Sequence, residues 1–157
     1  MTMQRSLLKA ILMGGLLGGA LDLLYAISFA AYYGAPATRV AQIIASGWLG
    51  QAAFTGGDGV VALGFASHFL MSILWAAIFA FAASRKPILV SRPVLSAIAY
   101  GLIVMLCMRL IVLPLSAYPR PVSFKPLPTF LDLLSHMFLF SLPITMAVRR
   151  ALGRHRV

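Results

Sequence analysis

The chain has 157 residues, 61% hydrophobic and only 10% charged, with three acids against thirteen lysines and arginines. Soluble domains carry about 25% charged residues, so this composition, with a mean hydropathy of +0.95, excludes a conventional water-solvated surface. The net charge of +10 does not point to nucleic acid, because the basic residues stand at the ends of apolar runs, where anionic headgroups and topological control account for them.

Four apolar stretches are long enough for a bilayer crossing, which takes about 20 residues. Backbone groups in hydrocarbon must satisfy each other, and continuous apolar runs do so as helices rather than as a barrel of alternating strands. The predicted fold is therefore all-α: a single transmembrane domain, a four-helix bundle. The first span is read at about 11–33, interrupted only by Asp22. Its length exceeds the 7–15 residues typical of a signal-peptide core, so it is expected to remain in the chain. Gly14, Gly15, Gly18 and Gly19 give it two overlapping small-xxx-small pairs. These predict a close helix contact within the bundle, with homo-oligomerisation through this face as the alternative.

The first connection, 34–59, is the longest. Thr38 is a candidate cap, and Val40, Ile43, Ile44 and Trp48 recur at helical spacing, predicting an interfacial helix over about 38–49. Trp48 suits the membrane interface. Gly56-Gly57-Asp58-Gly59 reads as a re-entry turn. The second span, about 60–83, carries His68. A short basic hairpin at 84–93 follows, with Pro87 and Pro93 as breakers.

The third span, about 94–117, contains Cys107 and Arg109. Cys107 is the only cysteine, so no internal disulfide is available, and it reads as a packing residue. Segment 118–128 holds Pro119, Pro121, Pro126 and Pro128, which predicts an extended cap rather than a helix. The fourth span, about 129–148, carries Asp132 and His136 and ends in Arg149, Arg150, Arg154 and Arg156.

Nine of the thirteen basic residues fall on the side of the termini and the second connection, and three on the other. The positive-inside rule predicts cytoplasmic N- and C-termini. At 1.5 Å per residue, Asp22, His68, Arg109 and His136 lie about 10–16 Å below the outer face, one from each span. Asp132 stands one turn from His136 at i−4. A charged group at mid-helix costs about 2.5–3.5 kcal/mol on insertion scales, so Arg109 is expected to face inward and pair with an acid, Asp22 first and Asp132 second.

Two readings of this cluster stay open. In one, the ion pair staples the bundle and the histidines bond across helices. In the other, the cluster is a binding or proton-handling site open to the outside. His68 and His136 would then also be candidate ligands to a metal or haem, although no further ligand motif accompanies them. Residues 63–69 and 131–137 both place Ser-His in the same local pattern, and Gly19 pairs with Gly101. This predicts a parallel internal repeat with a pseudo-two-fold axis along the membrane normal.

Val112-Leu113-Pro114-Leu115, the Pro-rich segment to Pro128, Ser135-His136 and Arg149-Arg150 stand in an order that resembles the YagU-like family of small bacterial inner-membrane proteins. The Gly-rich first helix and the His68 helix look similar too, and the detailed likeness covers about a third of the chain. Arg109 stands where that family leads one to expect a polar residue, often His. The resemblance implies a polytopic inner-membrane protein linked to acid tolerance.

The first functional expectation is a small membrane protein without catalytic activity, serving envelope or acid-stress homeostasis, with the lipid bilayer as partner and no cofactor. The alternatives are a transporter or channel-like unit for protons or a small solute, and a haem- or metal-binding redox subunit. No Ser-His-Asp arrangement, phosphate loop or His-Glu-x-x-His motif supports an enzyme.

Overall fold

The computed structural model describes residues 3–153. Arg154 and Arg156, which entered the charge count, lie outside the described residues. The described chain is all-helical, and four helices are long and apolar enough to cross a membrane: α1 (Met3–Tyr32), α3 (Asp58–Arg85), α5 (Pro93–Leu115) and α6 (Pro126–Gly153). Two shorter helices join them, α2 (Ala37–Leu49) and α4 (Ile88–Ser91).

These helices overrun the sequence-read spans at most ends. α1 has 30 residues and begins at Met3 rather than near 11. At about 1.5 Å per residue it is roughly 45 Å long, close to a bilayer with its headgroups rather than the hydrocarbon alone. An apolar run marks only the hydrocarbon, whereas backbone hydrogen bonding carries a helix on through polar residues. Three local expectations need correction for similar reasons. Thr38 does not cap α2, which starts at Ala37 after an extended Pro36 with no side-chain cap bond. Asp58 and Gly59 belong to the first turn of α3, so the re-entry turn is confined to Gly56-Gly57 behind a 3-10 segment over Gly50–Thr55. Pro126 and Pro128 lie within α6, where an early proline forfeits an N–H that has no intrahelical partner anyway.

Packing is inverted relative to a soluble protein. Ala76, Ala80, Ala83, Ala97, Val104, Ile144 and Val148 are buried, while Leu12, Leu16, Leu17, Phe81, Leu102 and Leu110 are exposed. Large apolar chains turned outward and small ones inward are what lipid solvation requires, since hydrocarbon gives no reason to hide leucine and close backbone approach supplies the attraction. α1 is central. Gly14 and Gly18 meet α6 at Ile144, Ala147 and Phe140, while Gly15 and Gly19 meet α3 at Ile73 and Ser72. A β-carbon on Gly15 would stand 2.9 Å from the Ile73 Cα. The glycine stripes are therefore consumed inside one chain. Gly101 of α5 makes the corresponding approach to the backbone of His136 and Met137 on α6.

The order around the bundle is α3, α1, α6, α5. The last side, between α3 and α5, is joined through Tyr100. Its hydroxyl donates to the Trp75 carbonyl at 2.6 Å, and its ring packs on Phe79 at 5.0 Å between centroids. Beyond this clasp the two helices frame a cavity, with α2 packed beside α3 along one edge.

α5 and α6 are not regular throughout. α5 widens to a π-helix over Met108–Val112, and α6 over Ser135–Ser141. Each widened stretch ends two residues before a proline, Pro114 and Pro143. A helical proline lacks an N–H and crowds the carbonyl four residues back. Longer i→i+5 bonds just upstream accommodate both faults.

Candidate functional site

The two widened turns carry Arg109 and His136, so the backbone irregularities coincide with the polar cluster. Arg109 pairs with Asp132. Its Nη2 lies 2.8 Å from Oδ2 and its Nε donates to the same oxygen at 3.2 Å. Its Nη1 donates to the Ser123 carbonyl at 2.7 Å, and its guanidinium lies 5.4 Å from the Phe124 ring centre. Arg109 thus ties α5 to α6 and draws the Pro-rich connection down onto both.

The expected order of partners is reversed. Asp22 does not reach Arg109; its Oδ1 accepts a 2.6 Å hydrogen bond from Ser135 and lies 3.9 Å from His136 Nδ1. Asp132 holds the arginine because the two lie on adjoining helices, whereas Asp22 enters from α1 on the far side of α6. Tyr25, one turn along α1 from Asp22, is within electrostatic reach of Asp22, Asp132 and Arg109.

Both histidines are oriented by backbone carbonyls. His136 Nδ1 lies 2.9 Å from the Asp132 carbonyl and 3.4 Å from Asp132 Oδ1. His68 Nε2 lies 2.9 Å from the Gly19 carbonyl. A carbonyl only accepts, so each of these nitrogens carries the hydrogen. That leaves His136 Nε2 and His68 Nδ1 as the outward ring nitrogens, with His136 Nδ1 within ion-pair distance of both Asp22 and Asp132. Neither outward nitrogen has a hydrogen-bond partner among the described residues. Nor is either fully enclosed. Among the described residues no group of three or more His, Cys, Asp or Glu is arranged to hold a metal ion.

Asp22, His68, Arg109, Asp132 and His136 all line one cavity of about 990 Å³. It runs from the Pro-rich connection down between α3 and α5 to Trp75 and Phe140. Its walls are largely apolar, with Met71, Met105 and Met108 prominent. Its exposed lining residues include Ser123 and Lys125 of the connection and Leu70, Leu74 and Leu115 of the long helices.

Several contributors were read from sequence in another role, as Ser135 and Trp48 were, or not at all, as with Trp75. Ser135 bonds across helices, whereas most buried helical hydroxyls, such as Ser72 and Thr145, bond back to their own turn. Trp48 was read as an interface residue; its indole N–H donates to Ser67 at 3.0 Å at the cavity edge. Trp75 lines the cavity with a buried Nε1 that has no hydrogen-bond partner among the described residues. The usable sequence signal was the pair Pro114 and Pro143, each inside an apolar run and each displacing the backbone beside an ionisable residue.

Fold and site together describe a helical chain with four membrane-length helices and an amphipathic cavity lined in part by ionisable side chains. No family model, curated protein or solved structure matches it.

Proposed function

We propose that this chain is a non-catalytic integral protein of the bacterial inner membrane that binds a small solute in its cavity and serves as a transporter or channel-like unit for that solute or for protons. The observation that carries this reading is the cavity of about 990 Å³ reaching the Asp22, His68, Arg109, Asp132 and His136 cluster. A merely structural ion pair needs no such space, and close packing would normally remove it. Intramembrane ionisable groups around a cavity mark binding sites and pathways.

The proposed topology has both termini in the cytoplasm, from the nine-to-three division of basic residues. The cavity mouth then faces the opposite side, and α2 lies along that interface. A pseudo-two-fold repeat is supported by matched close approaches, Gly19 to Phe69 and Ser72, and Gly101 to His136 and Met137. The similarity to the YagU-like family supports the inner membrane and makes acid-stress or envelope homeostasis the cellular setting in which such a unit would act.

Accessibility tests the reading. In a Cys107→Ala background, Met108→Cys and Val112→Cys place thiols on the cavity wall, and Leu110→Cys places one among exposed apolar residues. A membrane-impermeant maleimide should label positions 108 and 112 faster than 110 in intact proteoliposomes. Equal inertness at all three would make the cluster a dry structural staple and remove the proposal.

A further inference from the structure

Charge in the polar cluster is balanced within the chain. Arg109 directs Nε and Nη2 to Asp132. His136 Nδ1 lies 3.4 Å from Asp132 Oδ1 and 3.9 Å from Asp22 Oδ1, so the ring stands between the two carboxylates as the second cation. Two acids face two bases, and a charged ligand brought among them would stand unmatched at low dielectric. Lys125, the further cation among the lining residues, is exposed on the connection, where screening weakens its pull.

Hydrogen bonding is not balanced in the same way. As the cation of the pair, His136 carries a hydrogen on Nε2 as well, and no acceptor among the described residues takes it. His68 has no carboxylate within ion-pair distance among the described residues. Its Nε2 donates to the Gly19 carbonyl at 2.9 Å, which leaves Nδ1 as an acceptor without a donor among the described residues. Neither free nitrogen is fully enclosed. Trp75 Nε1 and Thr129 Oγ1, on two further lining residues, are buried and also have no hydrogen-bond partner among the described residues. What the wall lacks is hydrogen-bond partners, not counter-charge.

The two histidines meet one turn of α1. His68 reaches Gly19 from α3, and His136 approaches Asp22 from α6. Residues three apart share a helix face. A donor from α6 and an acceptor from α3 are thereby gathered against the same turn, on the wall of a cavity of about 990 Å³. The remaining lining is largely apolar, and Met71, Met105 and Met108 make it adaptable.

We infer that the cavity binds an uncharged molecule with an apolar body and a small polar head, of the primary-amide, phenol or alcohol type, whose head accepts from His136 Nε2 and donates to His68 Nδ1. This rests on the solute-binding reading above and adds the ligand's charge and hydrogen-bonding pattern. An ion of either sign would add an uncompensated charge to a balanced cluster. A pure hydrocarbon would leave both ring nitrogens without partners.

Four benzophenones of one photoreactive body test this. They differ only at the para position: the neutral 4-benzoylbenzamide, the anionic 4-benzoylbenzoate, the cationic (4-benzoylbenzyl)trimethylammonium and the headless 4-methylbenzophenone. The full chain in phosphatidylcholine liposomes is irradiated with each, and adducts are located by mass spectrometry. The expected result is saturable labelling by the amide at Met71, Met105 or Met108. Its half-saturating membrane concentration should lie at least about tenfold below those of the other three. His68→Phe removes the acceptor and leaves the ion cluster intact, and should cut the amide's advantage over the methyl compound to less than about threefold. An amide that saturates no better than the methyl compound, or a charged probe that equals it, overturns the inference while leaving the solute-binding reading standing. An advantage undiminished in His68→Phe overturns it as well. If His68→Phe does not fold, the four-probe comparison on the unaltered chain decides alone. Saturable labelling by none of the four would remove both readings.

Discussion

Ser135 donates a 2.6 Å hydrogen bond to Asp22 across 113 positions of sequence, joining α6 to α1 at the point where α6 widens into a π-turn. The bond holds the one carboxylate of the cavity that has no arginine, and it fixes which oxygen is left facing the cavity. Removing it should therefore disturb stability and binding together. Ser135→Ala should lower stability by about 1–3 kcal/mol, the cost of stripping a donor from a buried charged acceptor. In the Asp22→Asn background the same substitution should cost measurably less. Additive losses in that double-mutant cycle, read by thermal unfolding in detergent, would show that the bond carries no coupling.

Arg109 and Asp132 form the ion pair, and each has other groups depending on its charge. Arg109→Leu alone should cost about 3–5 kcal/mol, because it leaves Asp132 unmatched at low dielectric. Arg109→Leu with Asp132→Leu should recover most of that loss. Arg109→Leu with Asp22→Asn should not, since Asp22 does not touch the arginine. Unfolding midpoints of the three variants distinguish the partner. Recovery by Asp22→Asn rather than Asp132→Leu would contradict the observed pairing.

The glycines of α1 and α5 predict a graded series. Gly18→Ala pushes a methyl against the Phe140 carbonyl, and Gly101→Ala against the backbone of His136 and Met137. Backbone cannot move aside as a side chain does, so each should cost about 1–3 kcal/mol. Gly59→Ala, which meets nothing within 4 Å in the first turn of α3, should be neutral or stabilising by up to about 1 kcal/mol. A Gly101→Ala protein as stable as the parent would mean that the α5–α6 contact is looser than described.

Pro143 connects backbone chemistry to the site. Pro143→Ala returns an N–H to the Leu139 carbonyl and removes the clash that favours the widened turn. The segment from Ser135 should tighten toward a regular helix and rotate Ser135 away from Asp22. The effect of Ser135→Ala should then shrink by at least about 0.5 kcal/mol in the Pro143→Ala background. An unchanged effect would detach the proline from the geometry of the site.

Much of this architecture was legible in residue order. Four oily runs, a glycine stripe on the first, a helical pattern near Trp48 and an inward Arg109 seeking an acid could all be read directly, because they depend on solvation and spacing along a single helix. The depth estimate also grouped Asp22, His68, Arg109 and His136 at one level, and all four line the same cavity. Helix ends were read short because hydropathy stops where hydrocarbon stops, while backbone hydrogen bonding does not.

What residue order could not supply was rotation and adjacency. Level along the membrane normal follows from a count of residues, but whether Arg109 meets Asp22 or Asp132 depends on which helices are neighbours and on the turn added at Met108–Val112 and Ser135–Ser141. The sequence by itself determined an all-helical, lipid-solvated chain, because composition dictates the solvent and the solvent dictates the helix. Only the tertiary structure decided that α3 and α5 part above Tyr100, that Ser135 rather than an arginine holds Asp22, and that a cavity separates the walls. Those outcomes depend on the mutual orientation of distant segments, which side-chain volume and backbone crowding set in three dimensions.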